Sequence, residues 1–174
     1  MPGTNKVYII GFMGSGKTTT GRKLATMLGW SFTDLDLSIE KHAGMTIPQI
    51  FSEKGEPYFR EVEAEMLRKL HSATKTVIST GGGAPVYSDN MDYMLETGLT
   101  IYLKLTPGQL KTRLDASDGE RPLINNLNDE ELLSFIEDKL KFREKWYCRA
   151  ELIVSGFDTD MKAIFSEVQL RLNP

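Results

Sequence analysis

Five short runs of apolar, β-prone residues (7–10, 31–33, 76–79, 100–105 and 152–154) punctuate the chain, and the stretches between them repeat their apolar positions every three or four residues. Runs of that length read as strands, and the three-to-four spacing reads as amphipathic helix. The helices predicted in this way cover 17–28, 38–42, 47–54, 57–70, 89–96, 107–114, 129–146 and 160–172. Strands that alternate with helices predict a parallel sheet covered by helices. One stretch, 115–128, is polar and unpatterned and reads as a mobile loop. In an open parallel sheet ligands gather beyond the carboxyl ends of the strands, so the residues just after each strand carry most of the functional information.

At 174 residues the chain fits one domain, 1–174, with no repeat or linker to divide it. With 40% hydrophobic and 26% charged residues and a formal net charge of −3, it lacks the basic surface of a general nucleic-acid or membrane binder, so any anion site must be local. The single cysteine, Cys148, excludes an internal disulfide framework. The N-terminal residues contain no apolar leader, and no run approaches the ~20 residues that span a bilayer. These features predict a cytoplasmic protein acting on small molecules, without nucleic-acid or membrane partners, and no apolar seam argues against a monomer.

Directly after the first strand comes Gly11-Phe12-Met13-Gly14-Ser15-Gly16-Lys17-Thr18, followed by helix-prone Thr19 and Thr20. Glycines permit positive φ and close approach, so the backbone N–H groups of Gly14, Ser15, Gly16, Lys17, Thr18 and Thr19 can wrap nucleotide phosphates, with a helix N-terminus behind them. Lys17 then reaches the β- and γ-phosphates, and the Thr18 hydroxyl ligates Mg²⁺. A glycine-rich turn with an incidental lysine is the plainer reading, but the order strand, loop, helix favours the phosphate cradle.

After the second strand, Thr33-Asp34-Leu35-Asp36 places two carboxylates at alternate positions, which on a continuing strand project together. One of them would hold Mg²⁺ through water and the other would take the proton of an acceptor hydroxyl. The same residues also suit an acidic turn that caps the next helix. After the third strand, Gly81, Gly82 and Gly83 form either a surface that exposes backbone donors to a polar ligand or a flexible turn.

Arg60 falls within the apolar stripe of Phe59, Val62, Met66, Leu67 and Leu70, with Glu63 three residues on as a possible ion-pair partner. Arg143 repeats the pattern among Leu132, Ile136, Leu140 and Tyr147, on a helix with Asn128 as its N-cap. Two inward arginines suit a small carboxylate, whose oxygens match the guanidinium fork. In the polar loop, Arg121 is either an exposed arginine or a lid residue that closes over the transferring phosphoryl group. Arg113 either stacks on adenine or lies on the surface.

Taken in order, the phosphate loop, Asp34-Leu35-Asp36, Arg60 after Gly55-Glu56, Gly81-Gly82-Gly83, Arg121-Pro122-Leu123, and Arg143 with Tyr147 resemble the shikimate kinase family over nearly the whole chain. The resemblance implies a P-loop, nucleoside monophosphate kinase-like α/β fold. Its five-stranded parallel sheet would be ordered 2-3-1-4-5, with helices on both faces and a lid near 112–127. It also implies Mg²⁺- and ATP-dependent phosphorylation of the shikimate 3-hydroxyl, in the route to aromatic amino acids. Catalysis would fall to Lys17, Asp36 and Arg121, Mg²⁺ to Thr18 with Asp34 through water, and the acceptor to Asp36, Arg60, Gly81, Gly82, Gly83 and Arg143. Gluconate or nucleotide kinases of the same fold, or a non-catalytic ATP switch, share the phosphate loop and remain as rival readings.

Overall fold

Helices pack on both faces of the sheet because its central strand is apolar on both sides. β1 (Lys6–Ile10) sends Val7 and Ile9 to one face and Tyr8 and Ile10 to the other, and all four side chains are fully buried. Burial on both faces is what a central parallel strand requires. A computed structural model describes residues 5–117, 124, 126–156 and 160–172.

From β1 the chain runs through α1 (Lys17–Leu28), β2 (Ser31–Asp34), α2 (Leu35–Ala43), α3 (Ile47–Lys69) and β3 (Thr76–Ser79). It continues through α4 (Asn90–Thr97), β4 (Leu99–Lys104), α5 (Pro107–Asp115), α6 (Asp129–Tyr147), β5 (Leu152–Ser155) and α7 (Met161–Leu172). The strands form one parallel sheet in the order β2-β3-β1-β4-β5, as the resemblance implied. Val7 and Ile9 join a core with Leu24 of α1 and Ile164 and Val168 of α7. Tyr8 and Ile10 join the larger core beneath α2, α3, α4, α5 and α6.

The predicted elements are present with small shifts at their ends, and two differences have clear causes. α2 begins at Leu35, three residues before the predicted start, because the Asp34 carboxylate accepts the backbone N–H groups of Asp36 and Leu37 and so caps the helix. Asp36 therefore sits in a helical turn and not on a continuing strand, which corrects the alternate-strand reading of the two carboxylates. The two helices predicted on either side of residues 55–56 are both present, joined end to end as α3 at a kink where Gly55, with φ of 82°, is not helical. Pro57 follows the bend and starts the second half without needing an N–H partner.

At α6, Asn128 accepts from the N–H groups of Glu130 and Glu131, and Glu131 accepts from the Asn128 N–H, a reciprocal cap that fixes where the helix starts. Of the predicted lid, α5 ends at Asp115, while Arg121 and its neighbours 118–123 lie outside the described residues. Among the described residues no helix is long and apolar enough to cross a membrane.

Candidate active site

The loop after β1 is shaped by its glycines. Gly11, Gly14 and Gly16 have φ of 147°, 77° and 90°, all in the region that side chains avoid. Gly16, left-handed, is the cap from which α1 departs, so the loop runs straight into the helix N-terminus. Lys17 Nζ donates to the Phe12 carbonyl at 2.8 Å, folding the lysine back over the loop. Thr18 Oγ1 donates to Asp34 Oδ2 at 2.8 Å, bringing a hydroxyl and a carboxylate together at the exposed mouth. Arg113 reaches the same loop from α5: a methyl at Gly16 would lie 2.9 Å from its Nη1. Its guanidinium thus lies against the end of the phosphate cradle.

Beside the loop is a cavity of about 170 Å³. Ile47, Pro48 and Phe51 from the first half of α3, with Phe59 and Met13, give it an apolar wall. Asp36, Arg60, Glu63, Arg143 and Gly81–Gly83 supply the polar side. Phe51 and Phe59 face each other across the α3 bend with ring centroids 4.8 Å apart.

Arg60 Nη1 donates to Glu63 Oε2 at 2.7 Å, and its Nε and Nη2 donate to Glu56 Oε1 at 3.3 and 3.2 Å. The ion pair expected within the apolar stripe is therefore present, and it faces the cavity. Arg143 lies 5.4 Å from the centroid of the Phe12 ring, so an arginine of the cavity rests on a residue of the phosphate loop. One turn further along α6, the buried Tyr147 hydroxyl donates to the Gly82 carbonyl.

The three glycines act here chiefly through the side chains they lack. A methyl at Gly81 would lie 2.5 Å from Glu63 Oε1 and 3.1 Å from Asp36 Oδ1. At Gly82 it would lie 3.3 Å from Arg143 Nη1, from Gly11 O and from Met13 N. At Gly83 it would lie 2.3–2.5 Å from the Arg60 guanidinium. Each glycine makes room for one or two polar side chains of the cavity, and none of the three has a positive φ. The run lines the cavity with its backbone and also acts as a packing template, a role that neither sequence reading included.

The carboxyls are held in an unusual environment. Glu63 is completely buried, and burial pushes its pKa up to about 7 against the pull of Arg60 and Arg143. Burial also raises Asp36 above the ordinary carboxylate range, with Lys17 opposing the shift. Asp36 Oδ1 and Glu63 Oε1 have no hydrogen-bond partner among the described residues. Buried acceptors of this kind suit a ligand that brings hydroxyl donors.

Of the sequence-predicted site residues, the structure brings Lys17, Thr18, Asp34, Asp36, Arg60, Gly81, Gly82, Gly83, Arg113 and Arg143 to one end of the sheet. Glu63 appeared in the sequence only as a partner for Arg60, and Met13, Ile47, Pro48, Phe51 and Phe59 not as site residues at all. An apolar cavity wall has the same pattern in sequence as a core-facing stripe.

The profile of the family described as shikimate kinase matches residues 13–173. The chain belongs to the shikimate kinase family. A shikimate kinase of Parabacteroides distasonis is 40% identical over 163 residues, covering 94% of this chain and 92% of its own. The crystal structure of the Bacteroides thetaiotaomicron shikimate kinase matches with a TM-score of 0.90 and 36% identity, covering 97% of this chain and 98% of that one. The Acinetobacter baumannii shikimate kinase, solved in complex with shikimate, matches with a TM-score of 0.84 and 33% identity over 95% of this chain and 90% of its own. The chain is accordingly an ATP-dependent kinase of shikimate, and gluconate, a nucleotide or a purely binding role is not favoured.

Proposed function

We propose that shikimate occupies the cavity with its carboxylate toward Arg60 and Arg143 and its 3-hydroxyl at Asp36, facing the γ-phosphate of ATP held in the loop. The observation that carries this reading is the convergence of two guanidiniums and two carboxyls, those of Asp36 and Glu63, on a single cavity whose Gly82 packs against Gly11 and Met13 of the phosphate loop. Charge complementarity sets the orientation, because the carboxylate end pairs with the arginines and leaves the hydroxyl edge for Asp36. The apolar wall of Ile47, Phe51 and Phe59 suits the unsubstituted side of a carbon ring.

In the transfer step the 3-hydroxyl oxygen bonds to the γ-phosphorus as the bond to the ADP oxygen breaks, and the hydroxyl proton passes to Asp36. Asp36 serves as the base because burial makes its carboxylate a stronger proton acceptor than one in water. Lys17 leaves the Phe12 carbonyl for the phosphates and, with Arg113 beside Gly16, stabilises charge at the transferring group and its leaving oxygen. Arg121, outside the described residues, is assigned the lid position by the resemblance.

Mg²⁺ fits the mouth of the loop. Thr18 Oγ1 and Asp34 Oδ2 form an all-oxygen pair that would hold the ion, Thr18 directly and Asp34 through water. There the ion would neutralise phosphate charge, taking its remaining ligands from water and ATP.

The test is ADP release measured with shikimate, gluconate, a nucleoside monophosphate or no acceptor. Shikimate-dependent release, with a product phosphorylated at the 3-hydroxyl, is the expected result. Equal release without an acceptor would overturn the reading.

A further inference from the structure

We infer that Arg68 and Asn90, remote from the phosphate loop and outside the wall of the cavity, are positioning residues that set the gap between the acceptor arginine Arg60 and the glycine turn. The inference rests on the reading that this cavity binds the acceptor.

The gap is unusually intolerant. Gly83 lies so close to the Arg60 guanidinium that even one methyl would overlap it at 2.3 Å, so the helix carrying Arg60 and the turn carrying Gly83 are already in contact. A small approach forces Arg60 out of its site, and a small separation loosens it from Gly83. Something must hold the two elements at one spacing, and no strand pairing does so, because the turn has already left β3.

A polar strut centred on the buried Asn90 supplies that link. Arg68 lies on the second half of α3, two turns beyond Arg60. Its Nη1 donates to the Ala64 carbonyl of its own helix at 3.0 Å and to Asn90 Oδ1 at 2.7 Å. Its Nη2 donates to the Asp89 carboxylate, and its guanidinium lies 5.1 Å from the centroid of the Tyr93 ring. Asn90 is completely buried, and its Nδ2 donates to the Ala84 carbonyl at 2.9 Å. The Ala84 N–H in turn donates to Gly81 O, and the Val86 N–H to Gly83 O, which closes the glycine turn on itself. Asn90 therefore uses both ends of its side-chain amide, one toward the Arg60 helix and one toward the glycine turn. A buried amide satisfied on both sides is costly to displace, so the link is stiff.

A strut of this kind acts on the acceptor more than on the nucleotide, since Arg68 and Asn90 bond to α3 and to Ala84, and the turn meets the phosphate loop through Gly82 and not through the Gly83 set against Arg60. The experiment compares steady-state constants for the wild type, Arg68→Met, Asn90→Ala and the double variant, with thermal unfolding to establish that each is folded. The expected result is a rise in the KM for shikimate of about tenfold in each single variant, within the ~10²-fold that a ~1 Å misplacement can cost, with the KM for ATP changed less than about twofold. The double variant should be scarcely worse than either single one, because both substitutions cut the same link. Arg68→Lys, which keeps one donor for Asn90, should recover part of the loss.

Arg68 is partly exposed, so Arg68→Met decides the matter even if Asn90→Ala does not fold. Folded variants whose KM for shikimate stays within twofold of the wild type would overturn the inference, as would a parallel rise in the KM for ATP or independent, multiplying effects in the double variant. A wild-type enzyme without shikimate-dependent turnover would instead overturn the reading of the cavity.

Discussion

The two halves of the active site are built in different ways. The phosphate end is backbone: one continuous loop, three glycines with positive φ and a helix N-terminus, all within residues 11–18. The proposed acceptor end is side chain: groups from α2, α3, the turn after β3 and α6 meet in a cavity although Asp36 and Arg143 are more than a hundred residues apart in sequence. A backbone site is specified locally and binds what many proteins bind, whereas a side-chain site depends on the packing of several elements and can be specific for one acceptor.

If that division is real, substitutions at the two ends should damage different constants. Asp36, at the junction, should show the largest effect: Asp36→Asn should lower kcat by about 10²–10⁴-fold, the usual contribution of a general base, with ATP binding retained by fluorescence or calorimetric titration. Lys17→Ala should lower kcat by about 10²–10³-fold through lost charge stabilisation, with the KM for shikimate little changed. Arg143→Ala should act mainly on the other substrate, weakening shikimate binding by about 2–3 kcal/mol and sparing ATP. An ATP defect in Arg143→Ala would place that arginine with the nucleotide and blur the comparison. Gly83→Ala should cost about 1–2 kcal/mol, read as a higher KM for shikimate, because the added methyl meets the Arg60 guanidinium.

The last prediction concerns stability and pH, and not turnover. Glu63 moves from an ordinary value of 4.5 to about 7 on folding, so the folded chain holds this proton more tightly than the unfolded one. Its contribution to stability is complete below about pH 4.5 and is lost as pH rises through about 7. Melting temperatures measured from pH 4 to pH 8 should therefore fall more steeply for the wild type than for Glu63→Gln. Parallel curves for the two proteins would refute the assignment of that proton to Glu63.

The same division explains what could be read from the amino-acid order. Lys17, Thr18 and the loop glycines are adjacent in sequence, and strand–loop–helix order follows from local periodicity, so this half was legible. Arg60 and Arg143 were detectable because a cation inside an apolar stripe breaks the pattern. Glu63 was visible only as an i+3 partner, since nothing local says that it is fully buried or faces Asp36. The helix start at Leu35 was half legible: Asp34-Leu35-Asp36 suited an acidic cap as well as a continuing strand, and which carboxylate caps the helix depends on side-chain geometry. Phe51 and Phe59 read as core because a cavity wall is a core face from which one neighbour is missing.

The reversal of strand order at β1 has a broader consequence. The chain goes from β1 to the β2–β3 side first and only then to the β4–β5 side, so the segment proposed to recognise the acceptor, Asp36 to the glycine turn, lies on one flank of the loop. On the proposed reading, phosphoryl donor chemistry and acceptor choice fall to separable stretches of polypeptide. A new alcohol can be accommodated by rebuilding one flank and the facing side of α6, while the machinery that handles ATP is inherited unchanged.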